Sequence, residues 1–217
     1  MTTAVIVAAG SGTRMGLDSN KALIKLGNKR VFMYSVSQFM KYVDEIILVI
    51  SEKDSFIIDE LPKNIKYVFG GKSRGESVYN GIKASSGDYV LIHDAARPFI
   101  SSDVIKEITT NISHKEAVLS YLESVDTIRY NDNSKLTLLN RDNVIRAATP
   151  QCAPKDLLLD AYQKSFNENK QFTDDIAVLE NYYPDIKINL IKVNKEAFKL
   201  TYPIDLKLAS VIWRDYD

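Results

Sequence analysis

The sequence predicts an α/β protein built on a mostly parallel sheet flanked by helices, and three observations predict it. Short apolar runs bounded by turn residues recur at residues 4–9, 45–51, 66–69 and 89–93. They are continuous rather than alternating, as strands buried on both faces are. Stretches with apolar residues at helical spacing separate them, and strand alternating with helix makes a parallel sheet the simplest arrangement. The composition agrees: 217 residues with 45% hydrophobic and 26% charged side chains, 9 glycines and 6 prolines have the balance of a soluble globular protein with one large core. The expectation is a single domain over residues 1–217.

Each element has a local reason. The run at 4–9 enters a loop, "GSGTRMG", that glycine keeps from continuing as a strand. Residues 31–41 place apolar side chains near i, i+3 and i+4, residues 76–84 form a shorter helix, and residues 102–111 open with Ser and Asp suited to capping. After Val118 the pattern changes. "ESVDTIRYNDNSKLTLLNRDNVIRAATP" reads as two strands around a polar turn at 131–134, a hairpin rather than another βαβ unit. A hairpin alone is marginal in water. With Asp126, Arg129, Arg141 and Arg146 on it, the segment 120–150 is expected to be an arm that lies on its own domain or exchanges with a second chain in a dimer. The sheet then resumes: a helix at 156–167, another at 173–183 capped by Thr173, a strand at 187–193, and a helix started by Pro203.

Composition excludes several classes of function. Lys plus Arg (28) equals Asp plus Glu (28), so no global positive field exists to gather a nucleic acid or an anionic membrane. The single cysteine, Cys152, forbids an intramolecular disulfide and a cysteine-rich zinc site and reads as a small core filler. His93 and His114 lack ligand spacing to each other, and His93 reads as structural. Nothing in the opening residues resembles a signal peptide, and no apolar stretch approaches the roughly 20 residues that span a bilayer. The expected location is cytoplasmic.

The chemistry-bearing residues begin with "VIVAAGSGTRMG". Glycines at the first and third positions, Gly10 and Gly12, are followed at the sixth by Met15, so the dinucleotide fingerprint fails. The P-loop fails at the same place, since Gly16-Leu17 follows instead of lysine. What remains is a strand-to-helix turn whose amides face phosphate oxygens, with Arg14 adding a bidentate cation. Lys21 is near enough in the chain to share the same phosphates. At the end of the strand 89–93, Asp94 stands where an α/β sheet displays functional side chains. It either helps hold a magnesium ion bound to phosphates or pairs locally with Arg97. Gly70-Gly71 follows a strand and Ser77 lies on an opening helical turn, which lets backbone approach a flat base. Lys199 precedes the proline-started helix.

Together, "VAAGSGTRMG", "NKALIKLG", "GGKSRGESVYNG", "HDAARPF", "SVDTI", "ATPQ", "FTDDIAVLE" and "KLTYPIDL", in this order, resemble the 2-C-methyl-D-erythritol 4-phosphate cytidylyltransferases over nearly the whole chain. The related ribitol 5-phosphate cytidylyltransferases share most of these motifs, and "HDAARP", "ESVYNG" and "TDD" favour the methylerythritol group. The resemblance implies a Rossmann-like nucleotidyltransferase fold with a protruding β-arm and a homodimer in which the arm completes the partner's site. It implies that CMP passes from CTP to a polyol phosphate with release of pyrophosphate, assisted by Mg2+. Ala8, Ala9, Gly71 and Ser77 would then recognise cytidine, and Gly10, Ser11, Gly12, Thr13 and Arg14 would wrap the triphosphate. Arg14, Lys21 and Lys199 would be catalytic, Asp94 would assist the metal, and Arg97, Thr127, Arg141 and Thr173 would seat the polyol phosphate. The chain departs from the family pattern at Asn20, where proline usually precedes the lysine, at Cys152, where an aromatic often follows the glutamine, and at Tyr202, where many members have arginine. Two readings of other classes compete: a CTP-binding module without catalysis, against which the full set of cations argues, and a dinucleotide oxidoreductase, against which the missing glycine argues.

Overall fold

The computed structural model describes residues 1–10 and 20–216. The elements in chain order are β1 (Thr2–Val7), β2 (Lys25–Leu26), β3 (Lys29–Arg30), α1 (Val31–Phe39), β4 (Glu45–Ile50), β5 (Lys66–Phe69), α2 (Arg74–Ala84), β6 (Tyr89–Asp94), α3 (Ser102–Asn111), β7 (Glu116–Glu123), β8 (Arg129–Asn131), β9 (Leu136–Leu138), β10 (Ile145–Pro154), α4 (Lys155–Asn167), α5 (Asp175–Tyr182), β11 (Lys187–Lys192) and α6 (Pro203–Ile212). A seven-stranded sheet runs in the order β11-β7-β10-β6-β1-β4-β5. All its strands are parallel except β10, which is antiparallel to both of its neighbours.

The continuous apolar runs are explained by two cores. Ala4, Ile6, Leu48, Leu91 and Cys152 face α1 and α3 on one side, whereas Val5, Val49, Val90, Ile92 and Ala153 face α2, α4 and α5 on the other. Cys152 is the buried filler expected of it, and burial pushes its thiol well above the usual range. A third cluster around Leu26, Tyr34, Phe99 and Leu200 seats α6. Among the described residues no helix is long and apolar enough to cross a membrane.

Differences from the sequence expectations are local. The first strand ends at Val7, and Ala8 keeps one ladder bond, to the Val49 carbonyl at 2.8 Å, before the chain turns into the loop. Helix α2 starts at Arg74 because Ser73 accepts a hydrogen bond from the Glu76 amide (3.1 Å). Helix α5 is capped by Asp174, which accepts from the Ala177 amide (2.8 Å), and not by Thr173 as the pattern suggested. Within 120–150, sheet pairing takes more of the chain than the hairpin pattern implies. β7 and β10 belong to the main sheet, with Glu123 opposite Ile145, and β8 and β9 form a separate two-stranded pair beyond them. Asn133 turns that hairpin with a φ of 69°, and Asp132 Oδ1 accepts from the Ser134 and Lys135 amides.

At the other end of the sheet Glu45 ties three segments together. Its buried carboxylate accepts from Thr3 Oγ1 (2.7 Å), the Ser86 amide (2.8 Å), Ser86 Oγ (2.7 Å) and Lys66 Nζ (2.6 Å). Burial alone would raise its pKa, but these donors, Lys66 foremost, lower it from 4.5 to about 2. The unfolded chain releases this proton at the ordinary value, so the stabilisation is complete above about pH 4.5 and is lost as pH falls towards 2. Glu45→Gln is expected to cost about 1.5–3 kcal/mol at pH 7 and to flatten the acid limb, checked by denaturant unfolding at pH 7 and pH 3.

Candidate active site

The carboxyl ends of β1 and β6 lie side by side, with Val7 in register with Asp94. Beyond them opens a cleft of about 360 Å³, the position where parallel sheets hold ligands. Ala8, Ala9 and Gly10 form one wall, Asn20, Lys21 and Ala22 a second, Gly71 to Arg74 and Ser77 a third, and Asp94, Ala96 and Lys199 the floor.

Asp94 is the carboxylate among the described residues that line this cleft. It is 8% exposed. Its Oδ2 accepts from Lys199 Nζ at 2.7 Å, its Oδ1 from Arg74 Nη2 at 3.3 Å, and Arg97 Nε stands 3.9 Å away. Burial pushes the carboxyl up, but Arg74 and Lys199, with Arg97 behind them, outweigh burial and hold it well below the usual carboxylate range. Arg74 is shared with a second acid. Its Nη1 and Nη2 bond the two oxygens of Asp175, each at 2.9 Å, in the bidentate geometry that suits a guanidinium. Asp175 is fully buried and also accepts from Tyr162 Oη at 2.5 Å. Burial opposes the charge on Arg74, yet Asp175 and then Asp94 hold its pKa above the ordinary arginine value.

Two buried groups hold these acids in place. Gln151 Oε1 accepts from the Asp175 and Ile176 amides (2.9 and 3.0 Å), which fixes the start of α5. Thr149 Oγ1 accepts from the Asp94 amide (3.1 Å) and lies 3.1 Å from His93 Nδ1, while His93 Nε2 lies 3.0 Å from the Arg97 carbonyl. A carbonyl requires Nε2 to donate, so Nδ1 accepts from Thr149. Burial lowers the His93 pKa from 6.5 to about 4, so the ring is neutral at pH 7 and structural, as its spacing suggested.

The cleft thus gathers Ala8, Ala9, Gly10, Lys21, Gly71, Ser77, Asp94 and Lys199 from the expected set. Ser11, Gly12, Thr13 and Arg14 lie outside the described residues. The Ser77 hydroxyl is engaged, accepting from the Gly71 amide (3.1 Å) and donating to the Ser73 carbonyl (2.8 Å), so it shapes the glycine turn. A Cβ on Gly70 would come within 2.7 Å of both Ala9 Cβ and Ser77 Oγ, which explains glycine there. Arg97 stands behind Asp94; its Nη1 donates to the Ala197 carbonyl (3.0 Å), and its buried Nε has no hydrogen-bond partner. Thr127 and Arg141 are exposed on the arm and Thr173 is exposed before α5, and none of the three lines this cleft. Sequence reasoning missed Arg74 and Asp175 as a pair. Both lie inside quoted motifs, "KSRGES" and "TDD", but 101 residues separate them.

Residues 2–215 match the sequence profile of the IspD family, described as 2-C-methyl-D-erythritol 4-phosphate cytidylyltransferase. The 2-C-methyl-D-erythritol 4-phosphate cytidylyltransferase of Clostridium botulinum (strain 657 / Type Ba4) is 38% identical over 220 residues, covering 96% of this chain and 95% of that protein. The chain belongs to the 2-C-methyl-D-erythritol 4-phosphate cytidylyltransferase family. The same enzyme of Clostridioides difficile (strain 630) is 37% identical over 223 residues, covering 98% of this chain and 93% of that one. The crystal structure of 4-diphosphocytidyl-2C-methyl-D-erythritol synthase from Anaerococcus prevotii DSM 20548 superposes with a TM-score of 0.86 at 30% identity, over 98% of this chain and 96% of that one. The structure from Thermus thermophilus, at 24% identity over 99% of this chain and 100% of that one, shares the fold with a TM-score of 0.81. The protein is therefore a CTP-dependent cytidylyltransferase of isoprenoid precursor synthesis, with the nucleotidyltransferase fold that its motifs implied.

Of the departures from the cytidylyltransferase pattern, Tyr202 is 59% exposed, whereas Asn20 is buried at the cleft wall. The Arg74–Asp175 pair gives the site its most testable structural dependence. Arg74→Met leaves a fully buried carboxylate with one hydroxyl donor, and is expected to cost about 2–3 kcal/mol and to abolish most activity. Thermal unfolding of the purified variant, read beside turnover with CTP, checks both effects.

Proposed function

We propose that the cleft residues divide the work of cytidylyl transfer by charge. A phosphate oxygen of 2-C-methyl-D-erythritol 4-phosphate attacks the α-phosphorus of CTP. The new O–P bond forms as the bond from the α-phosphorus to the bridging oxygen breaks, and pyrophosphate leaves with that electron pair. No protein nucleophile is required, because the attacking oxygen is already ionised near neutral pH. The barrier lies in bringing two anions together, and the protein's task is orientation and fixed positive charge. The observation that carries this reading is the convergence of Lys21, Arg74 and Lys199 on a cleft with one carboxylate, Asp94, among its described residues.

In this reading Lys21 and Lys199, with Arg14 assigned by its motif alone, neutralise the phosphates, while Ala8, Ala9, Gly71 and the turn held by Ser77 take the cytidine. Arg97 and Thr173 are assigned to the polyol phosphate by their motifs alone, since neither lines this cleft. Among the described residues no cluster of three acids, histidines or cysteines is placed to hold a metal. Asp94, ionised and the carboxylate among the described residues of this cleft, would help hold Mg2+ by sharing with it the oxygens that Lys199 and Arg74 now bond. The ion when bound supplies further positive charge to the triphosphate.

The arm supports a homodimer. It exposes Val125, Tyr130, Leu136 and Leu138, and carries Thr127 and Arg141 away from the cleft of their own chain. A second copy would supply them, with residues 1–217 acting as one nucleotidyltransferase domain in the cytoplasm and 120–150 as its arm.

Lys21→Ala and Arg14→Ala are each expected to lower turnover about a hundredfold or more while the protein stays folded. Pyrophosphate release with CTP checks this, and near-normal rates would sink the assignment. The same assay with methylerythritol, ribitol, glycerol and xylitol phosphates should favour the first, and a clear preference for ribitol phosphate would overturn the acceptor. Replacing residues 129–138 by a short glycine linker should yield a monomer in sedimentation with little activity; an active monomer would remove the role of the arm.

A further inference from the structure

The amide of Asn20 makes three hydrogen bonds, one within its own turn and two to segments distant in sequence. Nδ2 donates to the Ala8 carbonyl and to Asp54 Oδ2 (2.9 Å), and Oδ1 accepts from the Ala22 amide (3.1 Å). Asn20 is 3% exposed and Asp54 6%. The partners dictate the residue type. The Ala8 carbonyl and the Asp54 carboxylate are acceptors and the Ala22 N–H is a donor, so the site calls for two donors and one acceptor on one planar group, which an asparagine amide supplies. The carboxylate, which only accepts, also decides which way the amide faces and therefore that Oδ1 meets Ala22.

Lys21 sits between the two ends of this arrangement. Its preceding residue carries the amide, and its following residue is held by it at the start of the short 3-10 turn Lys21–Leu23. Ala8 is fixed from both sides, by Asn20 and by its own bond to the Val49 carbonyl. One buried side chain thereby bridges the part of the cleft formed by Ala8 and the part formed by Lys21. Asp54 lies on the 3-10 segment Glu52–Glu60 and does not line the cleft; it lines a neighbouring cavity of about 350 Å³. Among the described residues, the Asp54 carboxylate reaches the cleft wall through Asn20.

We propose that the Asn20 amide and the Asp54 carboxylate form a buried clip that positions Lys21 against the triphosphate, and that both are positioning residues for cytidylyl transfer. The clip rests on the proposed role of Lys21. It turns the register between two walls of the cleft into a fixed distance, the condition under which a lysine's charge meets a transferring phosphoryl group without reorganisation.

The test is a double-mutant cycle read as kcat at saturating CTP and acceptor, on proteins that melt well above the assay temperature. Asp54→Ala, a change at a residue that does not itself line the cleft, is expected to lower kcat about tenfold or more in the Lys21 enzyme. In a Lys21→Ala background it should change kcat by less than about twofold, because the group being positioned is gone. Asp54→Asn, which keeps an acceptor opposite the Asn20 amide, should recover most of the loss. If Asp54→Ala does not fold, Asn20→Gln, which keeps the amide but displaces it by one methylene, enters the same cycle. An equal loss in both backgrounds, or a normal kcat in the Lys21 enzyme, would overturn the clip. A near-normal Lys21→Ala enzyme would instead remove the role of Lys21 on which the proposal rests.

Discussion

A carboxylate buried at the end of a strand is tolerable only when cations meet its charge, and the way this chain satisfies Asp94 shapes everything around it. Lys199 and Arg74 bond its two oxygens and Arg97 stands close behind, so the acid stays ionised in spite of burial. Arg74 cannot serve Asp94 alone, because its guanidinium is also clamped by Asp175. The result is an alternating set of charges of which Arg74 and Lys199 line an open cleft. A cluster of lysines and arginines without Asp94 would repel itself apart; with it, the cations are held together at the cleft.

The sheet supplies the positions. β1 and β6 end side by side, β5 lies beyond β4 on the same side, and among the described residues Ala8 to Gly10, Gly71 to Arg74 and Asp94, each just past one of these strand ends, meet at one cleft. The lone antiparallel strand of that sheet, β10, matters as much as the parallel ones. It runs along β6 and places Thr149 beneath the Asp94 amide and Gln151 beneath the start of α5. In this way "ATPQ" acts without touching the cleft: it fixes the backbone of one acid and the helix that carries the other. His93, buried and neutral, serves the same end through Thr149 and the Arg97 carbonyl.

What is legible in the sequence is whatever a short window encodes. Apolar runs such as residues 45–51 and 89–93 announce their strands because a strand covered on both faces has no polar side to show. The hairpin around Asn133 is legible because a left-handed turn narrows the choice of residues. The start of α5 lies one residue beyond its sequence reading: Thr173 and Asp174 are both capping types, and only the backbone decides which of them reaches the Ala177 amide. Asn20 looks like a departure from a motif because its reason lies 34 residues away, at Asp54.

The fold class, the family and many of the residues that meet in the cleft were readable along the chain, because hydrophobic periodicity, turn residues and ordered motifs are local properties that survive being read in one dimension. Packing alone reveals that Arg74 joins Asp94 to Asp175, that Lys199 reaches Asp94 across 105 residues of chain, and that Gln151 and Asn20 bond groups far from them in sequence. The physical reason is that these partnerships exist to neutralise or satisfy groups buried by the packing itself, and burial is a property of the assembled sheet that no stretch of chain possesses alone.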